Sequence, residues 1–155
     1  QVKERFVKNY GTSIEMNGER YWLFPQPEAL ETVSMEALRA LKFSRQKATY
    51  ILGLAEVFRA GELTMESLRS LPTLDNKRAA LTALKGIGPW TANYVLLKCL
   101  GEPACIPHGD SGLNAAVKMV LGVTDMKDPQ VAELYQYFEG WGGYLTVYLW
   151  RGLSG

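Results

Sequence analysis

At 155 residues, with 47% hydrophobic and 21% charged side chains, the chain can bury a sizeable core and has the composition of an ordinary soluble globule. No apolar run approaches the length of a membrane span, and two cysteines, Cys99 and Cys105, are too few for a disulfide scaffold or a four-cysteine cluster. Reduced thiols inside a cell are therefore expected, and a net charge of +1 gives no general reason to expect a polyanionic partner.

The elements read as helices almost throughout. Gln1–Tyr10 carries Val2, Phe6 and Tyr10 at one-turn spacing and stops at Gly11. Asn17-Gly18, between Ile14-Glu15-Met16 and Tyr21-Trp22-Leu23, signals a turn that a short hairpin could use, yet no segment shows a convincing strand ladder. Pro27 and Ser34 open two short helices. Ser44 caps a longer one, in which Ala48, Ile51, Leu52, Ala55 and Phe58 form an inward stripe ended by Gly61. Thr64 starts a short helix, and Asp75 is expected to cap the helix running toward Leu84. Pro89 sits at a first-turn position, where its missing N–H costs nothing, and that helix ends near Gly101. Further helices follow Asp110 and Asp128-Pro129 and run across Tyr144–Trp150. The class is all-α, without internal repeats.

The stretch Leu84–Leu96, LKGIGPWTANYVL, breaks one helix and restarts another within five residues. Glycine permits positive φ and close backbone approach, so Gly86-Ile87-Gly88 lets two helices meet at a sharp angle with Ile87 as a plug. The amides of Gly88 and the following turn then face outward at the positive end of a helix dipole, which suits a phosphate. A plain turn between helices, holding no ligand, is the other reading. From Lys77 through Lys98 the chain carries Lys77, Arg78, Lys85 and Lys98 and no acid. That run is either a solvated helix face or a phosphate-binding patch, and together with the hairpin it favours a nucleic-acid backbone.

LKGIGPWTANYVLLKCLG followed by CIPHGDSGL resembles the helix-hairpin-helix DNA glycosylases, whose Gly/Pro-rich loop precedes an aspartate (the HhH-GPD superfamily). The resemblance is greatest to the inducible 3-methyladenine DNA glycosylase II branch. FSRQKATYI (Phe43–Ile51) and WGGYLTVYLW (Trp141–Trp150) are similar to that branch's second-helix and closing-helix signatures, so the likeness covers nearly the whole chain. It implies two helical lobes around a base-binding cleft over residues 1–155, with the helix-hairpin-helix at 75–100. It also implies excision of flipped, alkylated purines from double-stranded DNA by a monomeric protein that is cytoplasmic or associated with the nucleoid.

Asp110 follows Pro107-His108-Gly109 and precedes an apolar helical run, which places it at a helix N-terminus. As a cap it is worth about 1 kcal/mol, and the dipole there favours a carboxylate by roughly 0.3–1 kcal/mol. The two roles are compatible. A departing base leaves an oxocarbenium-like sugar, which a fixed carboxylate stabilises while orienting water. The resemblance makes Asp110 the catalytic residue. Trp90 and Tyr94 share one helical face, an arrangement found in cores as well as in pockets. The resemblance puts Trp90, Tyr94 and Trp141 in the base pocket, where aromatic walls attract a cationic base by about 0.5–2 kcal/mol. Lys85, Gly86, Ile87, Gly88 and Thr91 are the expected contacts to the DNA backbone.

Relatives that also cut the strand place a lysine nucleophile where this chain has Trp90, so Schiff-base chemistry is not expected. The iron–sulfur cysteines of the endonuclease-type branch are missing, no metal-ligand set is present, and His108 is the single histidine. No cofactor is expected beyond an optional monovalent cation on the hairpin carbonyls. Relatives carry a β-rich N-terminal lobe and a wedge-bearing loop ahead of the region matched here, so the chain is expected to be the C-terminal part of a longer protein. The alternative is a reduced form, with pocket and wedge incomplete in either case. The reading from a different class is a non-catalytic helix-hairpin-helix DNA-binding module in which Asp110 is a cap alone.

Overall fold

A computed structural model describes residues 1–153. Two compact units divide the chain: residues 1–70 with 84–86, and residues 71–83 with the described chain from Ile87 onward.

The first unit opens with helix α1 (Val2–Tyr10), whose Phe6 is buried and whose chain leaves at Gly11. Strands β1 (Ser13–Met16) and β2 (Glu19–Trp22) then pair antiparallel, Ser13 opposite Trp22 and Met16 opposite Glu19. The expectation that no ladder forms is thus corrected. Asn17 (φ 54°) and Gly18 (φ 78°) adopt the left-handed pair that a two-residue hairpin turn demands. All eight strand residues are exposed, so the hairpin needs no apolar alternation and shows none in the sequence. A 3₁₀ turn (Pro27–Leu30) and helix α2 (Met35–Ala40, capped by Ser34) lead to α3 (Arg45–Arg59) and α4 (Met65–Ser70). Ser44 caps α3 as expected, its hydroxyl accepting from Lys47 N–H at 3.2 Å. Ala48 and Ala55 are buried with Phe6, Leu30 and Leu38, and Ile51 and Leu52 pack against them. Phe58 departs from the expected inward stripe. It is 44% exposed and lies at an apolar groove lined also by Phe6, Phe24 and Phe43.

The second unit begins with α5 (Leu74–Thr82) and continues through α6 (Pro89–Val95), a π-helical turn (Leu96–Leu100), α7 (Ser111–Leu121), α8 (Asp128–Gln136) and α9 (Gly142–Gly152). The cap of α5 is Thr73, whose hydroxyl accepts from Asn76 N–H at 3.1 Å, rather than Asp75. Asp75 lies in the first turn, paired with Arg78 at 2.8 Å; either residue satisfies cap chemistry, and the cap stands at Thr73, ahead of the expected Asp75. Pro89 does occupy the first turn of α6, and Gly101 (φ 74°) ends the π turn. Leu113 and Val117 of α7 pack with Val131 and Tyr135 of α8, and Leu145 and Leu149 of α9 close that core.

The last helix starts at Gly142, two residues earlier than expected. Gly142 and Gly143 are buried, and Gly143 N–H donates to Pro103 O at 2.7 Å. A Cβ on Gly143 would come 2.8 and 2.9 Å from the carbonyl oxygens of Pro103 and Cys105. Thr146, fully buried, donates to Gly142 O and shares a 2.9 Å hydrogen bond with the Tyr135 hydroxyl. These contacts fix the start of α9 against the loop that leads to Asp110, and so determine where the far end of α9 lies.

Candidate active site

Asp110 is the N-cap of α7. The loop before it is held by two buried side chains, Cys105 and Pro107, and turns at Gly109 (φ 79°), with Asp110 N–H donating to Pro107 O at 3.3 Å. Burial pushes the Cys105 thiol up from its ordinary pKa, which keeps it a neutral packing group. His108 stands with its ring edge against Tyr135, centroids 6.2 Å apart. The residue is exposed overall, but the partial desolvation of its ring, with Arg78 nearby, lowers its pKa below the ordinary histidine value.

Three N–H groups converge on the Asp110 carboxylate. Oδ1 accepts from Leu113 N–H at 2.7 Å, the cap bond, and from the Trp150 indole at 3.0 Å. Oδ2 accepts from the Trp90 indole at 3.2 Å. Gly112 leaves the space for this arrangement, since a Cβ there would lie 3.2 Å from Oδ1.

The indoles belong to an aromatic cluster. Trp90 and Tyr94 stack at 5.3 Å with planes 19° apart, and Tyr94 meets Trp150 at 5.6 Å and 48°. Trp90 is 40% and Tyr94 37% exposed, so this face of α6 is a surface rather than a sealed core. Lys98, one turn beyond Tyr94 in the π-helical segment, holds its ammonium 5.9 Å from the Trp150 ring centroid. A cation over an indole is the interaction such a wall would offer a positively charged base.

Of the expected pocket residues, Trp90 and Tyr94 are brought to Asp110, and Trp141 is not. Trp141 caps α9 at the end remote from Trp150, nine residues or about 13 Å along the axis. Its ring packs on Tyr144. Trp150 takes the place by Asp110. It lies in the same quoted motif, and the signal was the nine-residue gap: two tryptophans that far apart on a helix cannot both reach one carboxylate.

The backbone-contact candidates fall in both units. Lys85 is exposed and in no ion pair among the described residues, and Gly86 has φ 95° with a would-be Cβ 2.5 Å from the Tyr50 ring. Ile87 is half-buried, Thr91 is half-buried in the first turn of α6, and Gly88 is its N-cap. Gly88 has φ −93° and nothing within 4 Å of a Cβ position. Its own backbone therefore makes no demand for glycine, whereas that of Gly86 does. The basic run is smaller than its sequence suggests. Lys77 is paired with Glu102, and Arg78 bonds both Asp75 and the Asn93 side-chain oxygen.

Among the described residues no group of three or more His, Cys, Asp or Glu side chains could hold a metal, and no helix is long and apolar enough to cross a membrane.

A helical chain in which a Gly-x-Gly link precedes an aromatic-faced helix, and an aspartate caps the helix after it, has the helix-hairpin-helix architecture. The chain belongs to the family described as HhH-GPD superfamily base excision DNA repair protein, whose pattern matches residues 1–141. It is 38% identical over 154 residues to a DNA-3-methyladenine glycosylase of Bacillus subtilis, covering 98% of this chain and 50% of that protein. Its structure matches the 3-methyladenine DNA glycosylase of Archaeoglobus fulgidus at a TM-score of 0.79 and 29% identity, over 97% of this chain and 50% of the other. The fold is likewise that of the Schizosaccharomyces pombe 3-methyladenine DNA glycosylase solved with abasic DNA (TM-score 0.74, 24% identity, 95% and 70% covered). The chain spans about half the length of the curated relatives it matches.

Proposed function

We propose that this chain carries the catalytic half of a monofunctional DNA glycosylase that releases 3-methyladenine-like alkylated purines from duplex DNA. The observation that carries the reading is the Asp110 carboxylate, held by one backbone and two indole N–H groups beside a partly open aromatic face. In the proposed step the C1′–N bond breaks with its electron pair leaving on the base. Water then forms the new C1′–O bond and gives up a proton to Asp110. The carboxylate stabilises the positive charge that builds on the sugar. An alkylated purine is already cationic, so it leaves readily and stacks on Trp90 and Tyr94 with about 0.5–2 kcal/mol of cation–π attraction. Recognition by stacking, without base-edge hydrogen bonds, implies a broad range of alkylated bases.

Binding of undamaged duplex is assigned to the first turn of α6 and the exposed Lys85, which meet phosphate and not bases. A monovalent cation on the hairpin carbonyls, a monomeric state and a site of action at the intracellular DNA belong to the same reading. The non-catalytic alternative rests on the 2.7 Å cap bond to Leu113. A cap explains one bond to Oδ1. It gives no reason for two indoles to aim at the same carboxylate.

Incubation with methylated duplex tests the reading. Free 3-methyladenine and an intact abasic strand are expected, and borohydride should trap no protein on the DNA, because no amine stands at the Trp90 position. A trapped complex or a nicked strand would contradict the monofunctional step. Tight duplex binding without any base release would favour the non-catalytic module.

A further inference from the structure

The two oxygens of Asp110 are held unequally. Oδ1 takes the two shorter bonds, from Leu113 N–H at 2.7 Å and the Trp150 indole at 3.0 Å, while Oδ2 takes one, at 3.2 Å, from the exposed Trp90. Trp150 is itself committed within the fold. Its ring is only part-exposed, packs on Tyr94 and carries the Lys98 ammonium, and its helix is fixed at the far end by Gly143 and Thr146. Among the described residues, Trp90 has no such second anchor beyond its stack on Tyr94.

We infer that Trp150 is a positioning residue: its indole N–H pins Asp110 Oδ1 and so presents Oδ2 as the oxygen that reacts. The inference rests on the catalytic reading of Asp110 given above. With Oδ1 fixed by one donor from α7 and one from α9, the carboxyl plane cannot rotate. Oδ2 is then exchanged between the Trp90 N–H and the sugar or its attacking water as the base enters. Trp150 works through the carboxylate, so its loss should slow the chemistry and leave base binding to Trp90 and Tyr94. A carboxylate displaced by an ångström loses on the order of 100-fold in rate.

Trp150→Phe is the discriminating variant, because it keeps an aromatic ring against Tyr94 and removes the indole N–H. Its kcat for base release should fall about 10- to 100-fold with KM within roughly threefold of the parent. The second measurement needs no turnover. In an ¹H–¹⁵N spectrum the indole resonances of Trp150 and Trp90 should both shift in Asp110→Ala, with the signals of residues 1–70 unchanged as the check on folding. A Trp150→Phe protein with parental kcat, or one whose KM rises while kcat holds, overturns the positioning role. So does a Trp150 indole signal that ignores Asp110→Ala. Base release that survives Asp110→Asn overturns the catalytic reading of Asp110 instead. If the parent releases no base at all, the activity assignment falls, and the indole shifts alone decide whether the clamp exists.

Discussion

The lone histidine gives the residue scale a clean readout. Cover by Tyr135 and the charge of Arg78 lower the His108 pKa in the folded protein. The unfolded chain therefore takes up its proton first as pH falls. The stability due to neutral His108 is complete above the ordinary histidine value of about 6.5 and is lost as pH drops through the lower folded value. With one histidine in the chain, denaturant midpoints measured between pH 7.5 and 5 should decline in the parent and decline less in His108→Gln. Parallel curves would mean that the exposed His108 gains no desolvation from its edge contact with Tyr135. At the same scale, the cap position of Asp110 and the shared face of Trp90 and Tyr94 were legible in the sequence. Both follow from local rules, a polar residue before an apolar run and a spacing of four. The nine-residue gap said that Trp141 and Trp150 could not both reach Asp110. The choice of Trp150 was not legible, because its partner is forty residues away in the chain and only the packing of α9 on α7 brings them together.

At the scale of elements, the glycine link separates two reasons for having glycine. Gly86 is required by its own backbone, with φ 95° and the Tyr50 ring 2.5 Å from any Cβ. Gly88 is not, since it caps α6 at φ −93° with open space beside it. Gly86→Ala should cost about 1–3 kcal/mol by strain and overlap, read as a lower melting temperature. Gly88→Asp should melt at or above the parent, because aspartate caps better than glycine or equally well. The same variant should lose at least tenfold in affinity for undamaged duplex, its charge standing where a phosphate must approach. Parental duplex affinity in Gly88→Asp would remove the first turn of α6 from the interface. Local signals predicted Pro89, Gly101, Ser34 and Ser44 in their places. They failed where two neighbours offered equal chemistry, as with Thr73 against Asp75, and where an element is exposed on both faces, as with the β-hairpin.

At the scale of the whole molecule, the all-helical class followed from periodicity, since each core helix carries its own apolar stripe. The family resemblance implied two lobes, but not where they divide, because residues 84–86 pack with the first unit while the chain on both sides packs with the second. The basic run shows the same limit: two of its four charges are spent on internal partners that lie in other elements or earlier in α5. Sequence counts charges, and the fold decides which remain free of internal partners. Binding that depends on few free cations should have a shallow salt dependence, so the chemistry and not the affinity is where the site declares itself. The direct test is base release from methylated duplex by Asp110→Asn beside the parent. Asparagine caps a helix as well as aspartate and keeps the Oδ1 acceptor, losing only the bond from the exposed Trp90 indole. Stability should therefore fall by no more than about 1–2 kcal/mol and duplex affinity should stay near parental, while base release falls by at least 1,000-fold, about 4 kcal/mol of transition-state stabilisation. Base release within tenfold of the parent would leave Asp110 a helix cap and contradict the account.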